Sequence, residues 1–261
     1  LAIEKKVNLM NYLKEEMKNT YNITIPDVGY ETIQNILTQN FATGTGKDTY
    51  KDIKIIDEHN NISPNFSKLL LNHEFKRQIL EVVDYAIDQY KKEYSERYKD
   101  TDLCLYKKYT YEDVCQLLNW EKSLVPLNIG GYKYDKKTKT FPVFINYDKS
   151  DDISDTTKYE DHFEPGFRDR LIAISKSGRS LQSEDVQNFL KAKERGIRVE
   201  LFVRKNKDDK ISKEFYYLGH MTASGNTKEF TMPNTQKTAV EIEWILDVPV
   251  REDIYEYIVN S

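Results

Sequence analysis

The chain has 261 residues, 39% of them hydrophobic and 31% charged, which is enough apolar material for one large core or two smaller ones in a globular protein. A formal net charge of −4 excludes a general polycation, although one face of a domain can still be basic. Only Cys104 and Cys115 are present, at a spacing that fits no zinc motif, and the four histidines form no HxxxH or HExxH pair, so a disulfide framework, a metal site and metal catalysis are all disfavoured. No signal sequence opens the chain, and the longest apolar runs, such as LIAI at 171 to 174, are far too short to cross a bilayer. We therefore expect a cytoplasmic protein of two domains with no membrane partner. Its start at Leu1 rather than methionine is compatible with a fragment of a longer chain.

Ile3, Val7, Met10, Leu13 and Met17 recur at helical spacing, and so do Leu71, Phe75, Ile79, Val82, Val83, Ala86, Ile87 and Tyr90. The first hundred residues accordingly read as mostly helical. Between these stripes lies FATGTGKDTY at 41 to 50, whose Gly46-Lys47 resembles the end of a phosphate-binding loop. Such a loop needs glycine five residues before the Gly-Lys pair and a hydroxyl after it to hold magnesium. Phe41 and Asp48 stand there instead, so we expect a Gly/Thr-rich connector that binds no nucleotide. Ser63-Pro64 predicts an N-cap with proline in the first turn, and KKEYSERYKD at 91 to 100 predicts a helix end running into a linker. Thr110 and Asp113 form a capping pair for a short helix carrying Val114, Leu117, Leu118 and Trp120.

After Trp120 the period changes. FPVFINY (141 to 147), LIAIS (171 to 175), GIRVELFVR (196 to 204), EFYYLGHM (214 to 221) and TAVEIEWIL (238 to 246) read as strands, with Val240, Ile242, Trp244 and Leu246 on a core-facing side. SEDVQNFLKAKERG at 183 to 196 predicts one amphipathic helix capped by Ser183 and stopped by Gly196. The fold class is α+β: a helical region over 1–107, then a mixed β-barrel domain with a packed helix over 108–261.

The densest polar and aromatic run is residues 128 to 167, and SKSGRS at 175 to 180 supplies hydroxyls, a lysine and an arginine suited to gripping phosphates. Asp148, Asp151, Asp152 and Asp155 lack the glycine and terminal glutamate of an EF-hand, so they read as a solvated acidic loop. A Ser-Lys nucleophile at Ser175-Lys176 is a less economical reading than phosphate contact.

GGYKYDKKTKTFPVFINYDKS, TTKYEDHF, ISKSGRSLQSEDVQ and FYYLGHM resemble the C-terminal domain of bacterial Type IV restriction enzymes that join a phospholipase-D-type nuclease to a superfamily-two helicase motor. The resemblance covers about residues 104 to 261, and more weakly the helical region as a coupling domain. It implies a noncatalytic reader of 5-methylcytosine or 5-hydroxymethylcytosine in double-stranded DNA, similar to the SRA fold among PUA-like barrels. It also implies upstream helicase and nuclease domains in the same parent chain. No cofactor belongs to this fragment; ATP and Mg²⁺ would serve the parent's motor and its activity.

Flipping a base costs a few kcal/mol, which aromatic stacking at about 1–3 kcal/mol per base can offset. Tyr132, Phe144, Tyr147 and Tyr159 are the candidate rings, and Asp161 is the candidate acceptor for the cytosine N4 amine, since an ionised carboxylate only accepts. Lys149, Thr156, Thr157, Ser175, Lys176, Ser177, Arg179 and Ser180 are the candidate backbone contacts. The rival readings are a protein-interaction module that couples subunits without base-specific recognition, and a nuclease built on the acidic loop.

Overall fold

The computed structural model describes residues 8–50, 53–124, 131–147, 161–205, 213–232 and 235–260. Contacts divide the chain into two units, one formed by residues 1–96 with 115–125 and the other by 97–114 with 126–261.

The first unit is helical: α1 (Leu9–Tyr21), α2 (Asp27–Leu37), α3 (Thr45–Tyr50), α4 (Pro64–Leu70) and α5 (His73–Glu93). The start signals act as their chemistry requires. Asn8 accepts the Asn11 N–H at 2.9 Å, Ser63 accepts the Phe66 N–H at 3.1 Å ahead of Pro64, and Asn72 accepts the N–H groups of Glu74 and Phe75. Phe41 is buried and its carbonyl accepts the Ser123 N–H at 3.2 Å, so the position where a phosphate loop would carry its first glycine is a core position.

The second unit is built on a seven-stranded mixed sheet of β1 (Lys108–Tyr109), β2 (Thr140–Tyr147), β3 (His162–Phe163), β4 (Arg170–Ile174), β5 (Arg198–Lys205), β6 (Phe215–Thr231) and β7 (Thr238–Leu246). Its order is β2-β5-β6-β7-β4-β3, with β1 added on β6; β2 and β5 run parallel and every other pair antiparallel. The long β6 lets the sheet curl into a half-barrel, since it pairs with β5 through Tyr216–His220 and with β7 through Met221–Thr231. A register shift between Ala223 and Thr227, with Gly225 at φ +99°, bends the strand within its β7 pairing.

The concave face carries the main core. Phe141, Val143, Ile145 and Tyr147 of β2 meet Val199, Leu201 and Val203 of β5, Val240, Ile242, Trp244 and Leu246 of β7, and Val186 and Phe189 of a covering helix. The curl brings the two sheet edges within reach of each other: the Tyr147 ring lies 5.9 Å from that of Phe163, and its hydroxyl accepts the Phe163 N–H at 3.4 Å. The short helix α6 (Tyr111–Leu117) begins at a reciprocal cap, Asp113 accepting the Thr110 N–H at 2.8 Å and Thr110 Oγ1 accepting the Asp113 N–H at 3.2 Å.

The region 183 to 196 departs from the single helix expected. It is two short helices, α7 (Glu184–Leu190) and α8 (Ala192–Arg195), separated at Lys191, which leaves helical angles. Val186, Phe189 and Ala192 are all buried at the three-residue interval of one helix face, so the break at Lys191 leaves the covering face intact. Gly196 ends α8 at φ +64°, while Ser183 turns its Oγ back to accept the Ser180 N–H at 3.0 Å. The last helix, α9 (Glu252–Val259), seats Ile254 and Ile258 on the core.

Candidate functional site

Three separate sequence segments meet where β4 ends. Asp161, immediately before β3, accepts the Ile174 N–H at 2.8 Å through Oδ1. Tyr132, which bridges to Val143 at the edge of β2, accepts the Lys176 N–H at 3.0 Å through its hydroxyl. Ser175 lies between these two points and is buried; its N–H donates to the Val240 carbonyl at 2.8 Å and its Oγ accepts the Val240 N–H at 2.8 Å. The ladder between β4 and β7 is thus carried one residue further, and Gly178, at φ +81°, returns to donate to the Thr238 carbonyl.

Tyr132 is the hub. Its buried ring lies edge-on to Phe141 and Phe189, with centroids 5.7 and 4.9 Å away. Its hydroxyl donates to Asp185 Oδ2 at 3.0 Å, its carbonyl accepts from Lys176 Nζ at 2.8 Å, and that ammonium stands 4.5 Å from the ring centroid. Arg179 Nε donates to the same Asp185 Oδ2 at 2.7 Å. Burial raises the Tyr132 phenol well above its ordinary range, helped by the adjacent Asp185 carboxylate, so it stays a neutral donor. Burial by itself would raise the Asp185 carboxyl, but hydrogen bonds from Arg179 and Tyr132 outweigh it and hold the group below the usual carboxylate range. Lys176 is shifted down, chiefly because its ammonium is partly buried. An open cleft of about 440 Å³ adjoins this network, lined by Tyr134, Lys136, Arg179, Ser183, Glu184, Asp185 and Asn188. Lys136 and Glu184 face each other at 3.5 Å across its mouth, but both are so exposed that the pair contributes little.

Of the residues expected at the base pocket, Tyr132 and Asp161 come together at this strand end. Phe144 and Tyr147 point to opposite faces of β2. Phe144 stacks on Phe202 at 5.0 Å and packs against Tyr111 and Phe215 on the outer face, whereas Tyr147 belongs to the concave core beside Phe163. Tyr159 lies outside the described residues, as do Lys149, Thr156, Thr157 and the acidic positions 148, 151, 152 and 155. In the 175–180 loop, Ser177 is exposed, Ser180 Oγ accepts the Gln182 N–H at 3.3 Å, and both cations already have partners inside the domain.

Sequence reasoning passed over Asp185. In SEDVQ it reads only as an acid in the first turn of a helix, and nothing local separates it from Glu184; the tertiary fold alone sets it between Tyr132 and Arg179. It also passed over Glu200, for which a signal existed, namely a carboxylate interrupting the apolar run from Val199 to Val203. Glu200 is fully buried on the outer face, accepts the Tyr217 hydroxyl at 2.6 Å and lies 3.1 Å from His220 Nε2. Asp100 pairs with Arg198 at 3.2 Å, and Lys99 with Asp247 at 2.5 Å. These contacts fasten the segment before β1 to the sheet. Among the described residues no group of three or more His, Cys, Asp or Glu side chains is placed to hold a metal, and no helix is long and apolar enough to cross a membrane.

Fold and site therefore define an α+β protein: a helical region, then a half-barrel with a polar aromatic network at one strand end. The model of a domain of unknown function, DUF3427, matches residues 103–258, and the chain belongs to that family. Residues 1–94 match a second domain of unknown function, DUF8090. No curated protein matches the chain. Among solved structures, the chain is similar to the SUVH5 SRA domain in complex with hemi-methylated CG DNA, at 13% identity and a TM-score of 0.36 over 57% of this chain and 91% of that one. It is also similar to KRYPTONITE in complex with mCHG DNA and SAH, at 12% identity and a TM-score of 0.36 over 70% and 41% of the two chains. A third similar structure is Arabidopsis thaliana SUVH6 in complex with SAM, at 12% identity and a TM-score of 0.35 over 94% and 40%.

Proposed function

We propose that the half-barrel is the target-reading domain of a modification-dependent restriction enzyme, binding double-stranded DNA and receiving a flipped 5-methylcytosine or 5-hydroxymethylcytosine. The observation that carries this reading is the meeting of three resemblance-bearing segments at residues 174 to 176. Tyr132 of GGYKYD and Asp161 of TTKYEDHF hold backbone N–H groups two residues apart at the start of SKSGRS. In this reading Asp161 accepts from the cytosine N4 amine, Tyr159 stacks on the base and Tyr132 walls the pocket. Ser177, Ser180, Lys176 and Arg179, together with Lys149, Thr156 and Thr157, contact sugar and phosphate. Phe144 and Tyr147 support the walls from their two sides of β2. The helical region couples the reader to helicase and nuclease domains upstream in a parent chain, whose motor uses ATP and Mg²⁺, and the fragment itself is noncatalytic.

The test is binding of the chain to matched duplexes that contain cytosine, 5-methylcytosine or 5-hydroxymethylcytosine at one position, across a salt series. We expect tighter binding to at least one modified duplex on top of a shared, salt-dependent affinity. Equal affinity for all three would remove the reader, and affinity without salt dependence would remove the phosphate contacts.

A further inference from the structure

Helix α5 is 21 residues long, yet none of its residues is buried. Such a helix spans about 31 Å and is marginal on its own unless its apolar side is covered. Its apolar side is extensive. Phe75, Ile79, Val82, Val83, Ala86 and Tyr90 fall within one stripe at 3–4 spacing, flanked on one side by Leu80 and Ile87. Val82 is 64% exposed and Leu80 55%, and Val83, Ile87 and Tyr90 are each nearly half exposed. The edge-on contact of Phe66 in α4 with Phe75, at 6.1 Å, covers only the beginning of the stripe.

We propose that α5 pairs with α5 of a second copy of this chain, antiparallel, about a two-fold axis between Val82 and Val83. The stripe reads the same in both directions about that point: Val82 faces Val83, Ile79 faces Ala86 and Phe75 faces Tyr90. A two-fold interface requires this self-complementarity, because each residue must meet a partner that meets it in return. Size fixes the direction. Antiparallel pairing sets the small Ala86 against Ile79, whereas parallel pairing sets Ala86 against Ala86 and Ile79 against Ile79, leaving a gap in one layer and crowding in another. Leu80 of one helix then lies beside Ile87 of the other along the same flank, and the helix dipoles oppose. A single helix pair of this length is at the small end of stable interfaces, so a dimer in the micromolar range is expected. The inference is independent of what the half-barrel binds.

Sedimentation velocity of the chain over roughly 1–200 µM is expected to show a monomer–dimer equilibrium, in the affinity range set by such an interface. Val82→Glu with Val83→Glu, at exposed positions, is expected to hold the chain monomeric at every concentration with an unchanged circular dichroism spectrum. Direction is read by mixing two singly substituted chains, Ile79→Cys and Ala86→Cys, under mild oxidation; the two native cysteines are buried. Disulfides between position 79 and position 86 are expected. A native chain that stays monomeric throughout, a dimer that survives the double glutamate variant, or crosslinks joining 79 to 79 would each overturn the proposal.

Discussion

Asp185 gives the sharpest handle on the network, because replacing it by asparagine should move stability and DNA binding in opposite directions. The carboxylate accepts the Tyr132 hydroxyl at 3.0 Å and Arg179 Nε at 2.7 Å on one oxygen. The amide introduced by Asp185→Asn keeps the shape but loses the charge. The Tyr132 hydroxyl can still donate to the amide oxygen, so only the difference between a charged and a neutral acceptor is lost there, about 1–1.5 kcal/mol. The Arg179 side chain is 40% exposed, so its share is largely screened. A net loss of about 1–2 kcal/mol follows, which lowers the unfolding temperature of a domain this size by roughly 2–8 °C. The pH dependence has a definite sign. The Asp185 carboxyl is depressed in the fold, so its stabilisation is complete above the unfolded value near 4 and disappears as pH falls through the lower folded value. The stability gap between native and Asp185→Asn protein should therefore close on acidification. Arg179 serves a phosphate in this reading while it is still paired to Asp185; without the competing carboxylate its hold on the phosphate strengthens, so binding to modified and unmodified duplex alike should tighten at low salt. Loss of stability with unchanged affinity at low salt would show that Arg179 does not face the DNA backbone. A stability gap that does not narrow as pH falls below the unfolded value near 4 would refute the electrostatic account of Asp185.

Lys176→Ala with Arg179→Ala should weaken modified and unmodified DNA by similar factors and flatten the salt slope in anisotropy titrations; a loss confined to methylated duplex would place these side chains at the base. Tyr159→Ala and Asp161→Ala should each cost about 1–3 kcal/mol, or roughly 5- to 150-fold, on a methylcytosine duplex and little on unmodified DNA. Because Asp161 also holds the Ile174 N–H, its variant is read by the ratio of the two affinities rather than by either alone. Calorimetry with ATP should give no binding heat, and a tight site lost in Lys47→Ala would overturn the reading of residues 41 to 48.

The elements whose signals are local were legible in the sequence. Ser63-Pro64, the Thr110–Asp113 pair and the alternation of β7 each draw on a neighbour a few residues away, and each forms the structure that its spacing implies. β6 was legible only up to Met221. Its second half, TASGNTKEFT, has the composition of a loop, and becomes strand because β7 supplies a ladder from Met221 to Thr231. The break at Lys191 was not legible, since Val186, Phe189 and Ala192 follow one another at a regular helical interval across it. Tyr132 and the 175–180 loop could be singled out as polar and aromatic content in excess of what a core needs. That Tyr132 reaches across 53 residues to Asp185 could not, since no periodicity encodes that separation.

If Tyr132 walls the base pocket as proposed, it also sets how much discrimination a methyl group can supply. Burying a methyl contributes only about 0.8 kcal/mol, or roughly fourfold in affinity, and the cost of flipping falls equally on both bases. A pocket gains more only if it cannot relax around the smaller base. An unfilled void on the order of 25 Å³ then adds about 0.6 kcal/mol, which brings the preference to roughly tenfold. Tyr132 has the rigidity for this: its ring is wedged between Phe141 and Phe189, its hydroxyl is tied to both Asp185 and the Lys176 N–H, and an ammonium covers its face. Tyr132→Phe keeps the ring and removes both ties. If this ring walls the pocket, the variant should still bind methylated DNA, while its preference for methylcytosine over cytosine falls from about tenfold toward fourfold. Competition titrations with the two duplexes at one salt concentration measure that ratio directly. An unchanged ratio in a folded Tyr132→Phe protein would mean that the wall facing the methyl group is built from other residues.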